Sequence, residues 1–245
     1  MTTAHTSGKP SAVTAQKMLH AVLILDRSGS MEDCRDATIS GFNEAAAQLR
    51  AQAVDEGITA DISLVTFNHD VTPIYLLQDV TALVDLDRAS YVPDGNTAML
   101  DAVGDTLTQI EERTQGADTK NTAFLVSIIS DGMENASRSH TYVTIAETIQ
   151  RLTSKGNWTF TYLGSNQDLS DLSHKLNIPK GNMASYQATP SGSQTAFDVH
   201  AASTPSYMSG VSLGVMSTKT WYGKDVTDIK DPGSTENKWD LAARR

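Results

Sequence analysis

Cysteine is almost absent from this 245-residue chain, which contains only Cys34. A single thiol can form neither an internal disulfide nor a zinc cluster, so the sequence excludes a disulfide-stapled scaffold. The lack of disulfides favours a reducing compartment. The first 17 residues also lack the apolar run of a secretory signal, and we therefore expect a cytoplasmic protein.

Basic residues and long apolar runs are scarce as well. Lys and Arg number 19 against 29 Asp and Glu, which gives a formal net charge of -10. Such a surface repels phosphate backbones and argues against a nucleic-acid partner. The apolar runs are strand-sized and too short to cross a membrane, so we expect no membrane partner. With 39% hydrophobic residues, the chain can bury the core of one sizeable domain.

Strand-like and helix-like segments alternate along the chain. Two runs, His20–Leu25 and Ala123–Ile129, are apolar on both faces, which is typical of parallel strands covered by helices. Further strands are predicted at 158–163 and 183–186. Apolar residues at helical spacing predict helices at 32–53, from 98, at 142–152, at 169–176 and from about Gln194.

Residues 61–67 and 71–77 read as an antiparallel hairpin, because three polar residues join two strand-like runs. The sequence therefore predicts an α/β fold: a doubly wound, mostly parallel sheet with one antiparallel edge strand and helices on both faces. We expect a flexible arm at 1–17, the domain at 18–217 and a loose polar tail at 218–245. Trp221 and Trp239 in that tail could anchor a partner or pack on the domain.

Polar side chains follow the predicted parallel strands, where ligands bind in open α/β sheets. Asp26, Ser28 and Ser30 follow the first strand, Thr97 opens a helix, and Asp131 follows the strand at 123–129. Taken singly, each residue could be a helix cap or a turn residue. Together they offer only hard oxygen atoms, which suits Mg²⁺, with Mn²⁺ or Ca²⁺ possible. No His or Cys stands where it would select zinc or copper.

Three segments carry a family resemblance: Leu25–Met31, Gly95–Asp101 and Ile129–Asn135. In order and spacing they resemble the metal-ion-dependent adhesion site of von Willebrand A domains, over roughly residues 18–216. A weaker match at Tyr162–Asp168 resembles stand-alone bacterial and phage members. The resemblance implies a Rossmann-like fold and assigns roles to five residues. The hydroxyls of Ser28, Ser30 and Thr97 coordinate the metal directly or through water, and Asp26 and Asp131 hold metal-bound waters.

A metal held mainly by neutral hydroxyls stays electrophilic, and the helix ends after Ser30 and Thr97 favour an anion nearby. We therefore expect a metal-dependent binding module, an adaptor or assembly factor, that captures an Asp or Glu of a partner protein. Microbial relatives often work beside ATPases. This chain lacks a phosphate-binding Gly-x-x-x-x-Gly-Lys loop, so any ATPase would be a separate chain.

Two other functions remain open at this stage. A Mg²⁺-dependent hydrolase or phosphoryl-transfer enzyme is disfavoured, because Ser28 stands where such phosphatases have a second aspartate. No Lys or His is evidently placed as a general base. Alternatively, the metal only stabilises the fold. Glu134, His69 and His140 are expected to be solvated loop residues.

Overall fold

Seven strands form one sheet in the computed structural model, which describes residues 16–165 and 167–232. The order across the sheet is β3-β2-β1-β4-β5-β6-β7. β3 runs antiparallel to β2 at one edge, and every other neighbouring pair is parallel. The predicted fold class is confirmed. The strands are β1 Met18–Asp26, β2 Thr59–Phe67, β3 Val71–Asp79, β4 Thr122–Ser130, β5 Trp158–Gly164, β6 Met183–Ser185 and β7 Thr227–Asp228.

Helices cover both faces of the sheet, because the central strands alternate apolar side chains between two cores. In β1, Leu23 and Leu25 point into one core, whereas Val22 and Ile24 point into the other. The first core lies under α1, α5 and α6, and the second lies under α2, α3 and α4. The helices are α1 Arg35–Asp55, α2 Met99–Arg113, α3 Tyr142–Thr153, α4 Leu169–Leu176, α5 Pro190–Ala202 and α6 Thr204–Ser212.

Two predicted helix starts differ from the structure. The helix predicted from residue 32 begins at Arg35, because a 3₁₀ turn, Gly29–Cys34, first carries the chain away from β1. The last helix, predicted near Gln194, begins at Pro190. There the Thr189 side chain accepts a hydrogen bond from the Gly192 N–H and so caps the helix. A further helix, α6, follows directly and was not predicted.

The expectation of a loose tail from residue 218 is wrong for residues 218–232. β7 adds to the sheet beside β6, and the side chain of Trp221 is buried. Asn182 accepts a hydrogen bond from the Trp221 N–H at 2.9 Å and donates to the Thr218 carbonyl at 3.0 Å. The buried imidazole of His200 also contacts the Tyr222 hydroxyl at 2.7 Å. The expected arm, apart from residues 16 and 17, and Trp239 lie outside the described residues.

The sheet order places a crevice at the carboxyl ends of β1 and β4. The connection from β1 leads to β2 on one side, and the later connection into β4 arrives on the other side. Such a reversal leaves a gap above the two strands, which is the usual ligand position in open α/β sheets. Among the described residues, no helix has the length and apolar character needed to span a bilayer.

Truncating Trp221 tests whether the segment after residue 217 belongs to the folded core. We expect Trp221→Ala to lower the free energy of unfolding by about 3 kcal/mol, because it leaves a cavity where a large buried ring packs. Urea denaturation followed by circular dichroism measures this change. Lys224→Ala, an exposed substitution in the same segment, serves as the control and should change stability by less than about 0.5 kcal/mol. Equal effects of the two substitutions would contradict the docked segment.

Candidate metal centre

Asp26 ends β1 and is fully buried beneath the crevice. One carboxylate oxygen accepts a hydrogen bond from the Ser28 N–H at 2.7 Å, and the other accepts from the Ser130 hydroxyl at 2.6 Å. Burial raises the pKa of Asp26 to about 6, although these hydrogen bonds oppose the rise. A buried carboxylate of this kind gains from a nearby cation.

The hydroxyls of the first loop turn towards Asp131, which follows β4. The Oγ atoms of Ser28 and Ser30 are 3.2 Å apart, and Ser30 donates to Asp131 Oδ1 at 2.6 Å. Burial also raises the pKa of Asp131. Ser28 is buried whereas Ser30 is exposed, so the cluster opens to solvent on the side of Ser30.

Gly132 shows that three hydroxyls, two from the loop after β1 and one from Thr97, lie close to one point. A Cβ atom on Gly132 would lie 3.1 Å from Thr97 Oγ1, 3.7 Å from Ser30 Oγ and 3.8 Å from Ser28 Oγ. With Asp26 and Asp131 beneath and beside them, all five predicted site residues are brought together. Gly132 leaves open the space that the three hydroxyls surround.

The donor set fits a hard divalent cation. It consists of hydroxyl and carboxylate oxygens, which Mg²⁺, Mn²⁺ and Ca²⁺ accept. Within the described residues, no group of three or more His, Cys, Asp and Glu side chains is placed to hold a metal. A cation here would therefore rest on the hydroxyls of Ser28, Ser30 and Thr97 as well as on the two carboxylates.

The N-terminus of α2 differs from expectation, because one of its backbone N–H groups is paired within the protein. The first N–H groups of α2 were expected to favour an external anion, but the Leu100 N–H donates to Glu134 Oε2 at 3.0 Å. Glu134 is thus a helix cap and not the solvated loop carboxylate that the sequence suggested. His69 is half exposed and lies beside Asp70, as predicted for a loop residue.

Sequence reasoning missed four residues that support the centre. Ser130 holds Asp26, Glu134 caps α2, Asn135 holds the backbone of Thr97, and the Gln167 amide donates to the Gly132 carbonyl at 2.6 Å. All four lie within or next to the segments that carried the family resemblance. Their side chains contact backbone groups or a carboxylate, so no spacing of metal-ligand residues could reveal them.

Comparison with known proteins agrees with this geometry. The sequence model of the von Willebrand factor type A domain matches residues 21–198, more than half of the chain. The chain belongs to this family, whose domains commonly serve as metal-dependent adhesion and protein-interaction modules. A search of curated protein sequences finds no match.

Solved structures support the fold at low sequence identity. Proximal thread matrix protein 1 from the mussel byssus aligns with a TM-score of 0.55 and 13% identity, over 76% of this chain and 48% of that one. The chain thus spans about half the length of that protein. A second form of the byssus protein (TM-score 0.53, 13% identity, same coverage) is described with a zinc-occupied MIDAS motif, the metal-ion-dependent adhesion site.

Two bacterial pilus proteins are also similar in fold. The pilus adhesin SpaC from Lactobacillus rhamnosus GG gives a TM-score of 0.57 at 12% identity, over 78% of this chain and 30% of that one. The vWF domain of the pilus tip protein Mfa5 from Porphyromonas gingivalis gives 0.54 at 12% identity, over 77% and 95% respectively.

Adding a methyl group at Gly132 tests whether the three hydroxyls surround a metal. We expect Gly132→Ala to weaken Mg²⁺ and Mn²⁺ binding at least about tenfold, because the new Cβ crowds Thr97 Oγ1. Isothermal titration calorimetry measures the affinity. Gly210→Ala in α6 is the matched control, since it adds a methyl outside the candidate site at an ordinary 3.6 Å from Val215 Cβ. Unchanged affinity in Gly132→Ala would mean that the metal lies elsewhere.

The raised pKa of Asp26 predicts a pH dependence of stability in the metal-free protein. Its folded pKa of about 6 exceeds the ordinary value of 3.8. The stability that protonated Asp26 gives the folded protein is therefore fully present below about pH 4, and it is lost as the pH rises through about 6. In EDTA, we expect wild type to lose on the order of 3 kcal/mol across this window relative to Asp26→Asn. Urea titrations at several pH values measure the difference. Parallel pH profiles for the two proteins would contradict the assignment.

Proposed function

We propose that this protein is a divalent-metal-dependent protein-binding module, an adaptor or assembly factor, that captures an Asp or Glu side chain of a partner. The observation that carries the proposal is the convergence of Ser28, Ser30 and Thr97 on the space beside Gly132. Hydroxyl oxygens carry no net charge, so a cation held by them keeps an affinity for an incoming carboxylate. The family of interaction modules to which the chain belongs is consistent with this role.

In this proposal, Ser28, Ser30 and Thr97 supply hydroxyl ligands, and Asp26 and Asp131 orient metal-bound waters. When bound, the ion supplies an electrophilic position that accepts a partner carboxylate. We propose Mg²⁺, because it prefers oxygen ligands and retains waters, with Mn²⁺ or Ca²⁺ as substitutes. The zinc described for the byssus protein shows that a related site can hold another divalent ion.

Exposure of the site supports a macromolecular partner. Ser30 is exposed, and Met133, two residues after Asp131, leaves 70% of its surface open to solvent. An apolar side chain next to a charged ligand position offers a partner both a carboxylate contact and buried area. The net charge of -10 disfavours nucleic acid as the partner.

The setting that we propose is a bacterial or phage protein in the cytoplasm, with any ATPase on a separate chain. We propose no enzymatic activity. Ser28 stands in place of the second aspartate of a phosphatase pair, and the three side chains that meet beside Gly132 are hydroxyls and not a general base.

A pull-down with and without metal tests the proposal. The intact protein is immobilised and exposed to a lysate of its source cells in Mg²⁺ or in EDTA, and bound proteins are identified by mass spectrometry. We expect a partner that is retained in Mg²⁺ and lost in EDTA. Thr97→Val, which removes one hydroxyl at nearly constant volume, should lose the same partner. Lys175→Ala, which removes a surface ion pair with Asp171 and a cation–π contact with Tyr142, should retain it.

The purified partner then allows a sharper measurement. Replacement of its contacting Asp by Asn, or Glu by Gln, should abolish Mg²⁺-dependent binding, because the amide is a weaker ligand than the carboxylate. If Mg²⁺ raises the melting temperature while every partner binds equally in EDTA, the metal only stabilises the fold and the proposal is wrong.

A further inference from the structure

The backbone of Thr97 is clamped by the loop that follows β4. The Thr97 N–H donates to Asn135 Oδ1 at 3.0 Å. Its carbonyl accepts from the N–H groups of Asn135 at 3.0 Å and Ala136 at 3.2 Å. Asn135 therefore hydrogen-bonds to both the backbone N–H and the backbone carbonyl of Thr97, which supplies the third hydroxyl. The two residues are 38 positions apart in the sequence.

Glu134 makes a second attachment between the same two segments. Its Oε2 accepts from the Leu100 N–H at 3.0 Å and from the Ser137 hydroxyl at 2.9 Å. Its Oε1 accepts from the N–H groups of Ala136 and Ser137 at 3.0 and 2.8 Å. The carboxylate thus caps α2 and folds its own loop at the same time.

Asp101 in α2 makes a third set of hydrogen bonds to the loop that follows β4. The Asp101 carboxylate accepts from three consecutive backbone N–H groups, those of Arg138, Ser139 and His140, at 2.8 to 2.9 Å. The Asp101 N–H donates to the Ser137 hydroxyl at 3.0 Å. Each segment therefore satisfies free backbone groups of the other, and the two segments cannot shift independently without breaking these part-buried and exposed hydrogen bonds.

From these contacts we infer that Asn135 and Glu134 are positioning residues that lock Thr97 and Asp131 into one rigid unit and thereby set the metal affinity of the centre. The inference rests on the proposed metal-binding function. Mg²⁺ demands near-ideal octahedral geometry, so a Thr97 hydroxyl that is free to drift from the Asp131 loop makes a poorer ligand.

Substitution of Asn135 gives the direct test. Asn135→Ala removes the acceptor for the Thr97 N–H, and we expect it to weaken Mn²⁺ and Mg²⁺ binding about 10- to 100-fold, the range for supporting contacts at metal centres. Asn135→Asp keeps an acceptor oxygen in place and should restore the affinity to within about threefold of wild type. Calorimetry at low temperature, with folding checked by circular dichroism, separates binding from unfolding. Glu134→Gln removes the capping charge and should fall between the two variants.

A matched control comes from the other end of α2. Glu111 joins α2 to Arg151 of α3 at 2.6 Å and to Lys155, just after α3, at 2.9 Å, far along the helix from Thr97. Glu111→Gln should therefore lower stability while leaving metal affinity unchanged. A purely structural role for Asn135 would give the same pattern in Asn135→Ala.

The outcomes separate this inference from the proposed function. If wild type binds neither Mg²⁺ nor Mn²⁺, the proposed function itself is overturned. If wild type binds metal and folded Asn135→Ala binds it equally well, only the positioning role is overturned. Loss of affinity in Asn135→Ala with recovery in Asn135→Asp supports the inference.

Discussion

Burial of two carboxylates at the carboxyl ends of β1 and β4 is the constraint on which the rest of this structure depends. Asp26 is fully buried, and Asp131 is 3% exposed. A buried carboxylate is costly unless hydrogen bonds or a cation compensate it. Ser28 and Ser30 in the loop after β1, and Ser130 at the end of β4, provide the hydrogen bonds. The same arrangement gathers oxygen atoms of the kind that a hard divalent cation accepts.

The sheet order brings the two carboxylates together in one site. β1 and β4 are neighbours although about a hundred residues separate their ends, so their terminal side chains meet. Thr97 belongs to neither strand and needs separate attachment, which Asn135 provides. The centre therefore combines a part fixed by strand pairing with a part fixed by side-chain capping. These two kinds of support differ in strength, since paired strands are buried on both faces whereas caps lie near solvent.

Most of the fold, and the proximity of the five candidate side chains, could be predicted from the sequence, because doubly apolar strands, helical spacing and three polar segments are local signals. The supporting contacts could not, since Glu134 and Asn135 act on backbone groups of a distant segment. The docking of residues 218–232 was also hidden. This segment is polar, and its attachment depends on Asn182 and His200, single polar residues whose partners become visible only once the chain is folded.

The seventh strand, β7, affects whether β6 can pair with a strand from another copy of this chain. β7 consists of only two residues, yet it covers the outer side of β6, itself only three residues long. A chain shortened at residue 217 would leave the outer backbone groups of β6 unpaired and available to a strand from another copy. Asn182 would at the same time lose its partners at Thr218 and Trp221. The segment 218–232 thus occupies a side of β6 to which another strand could otherwise add.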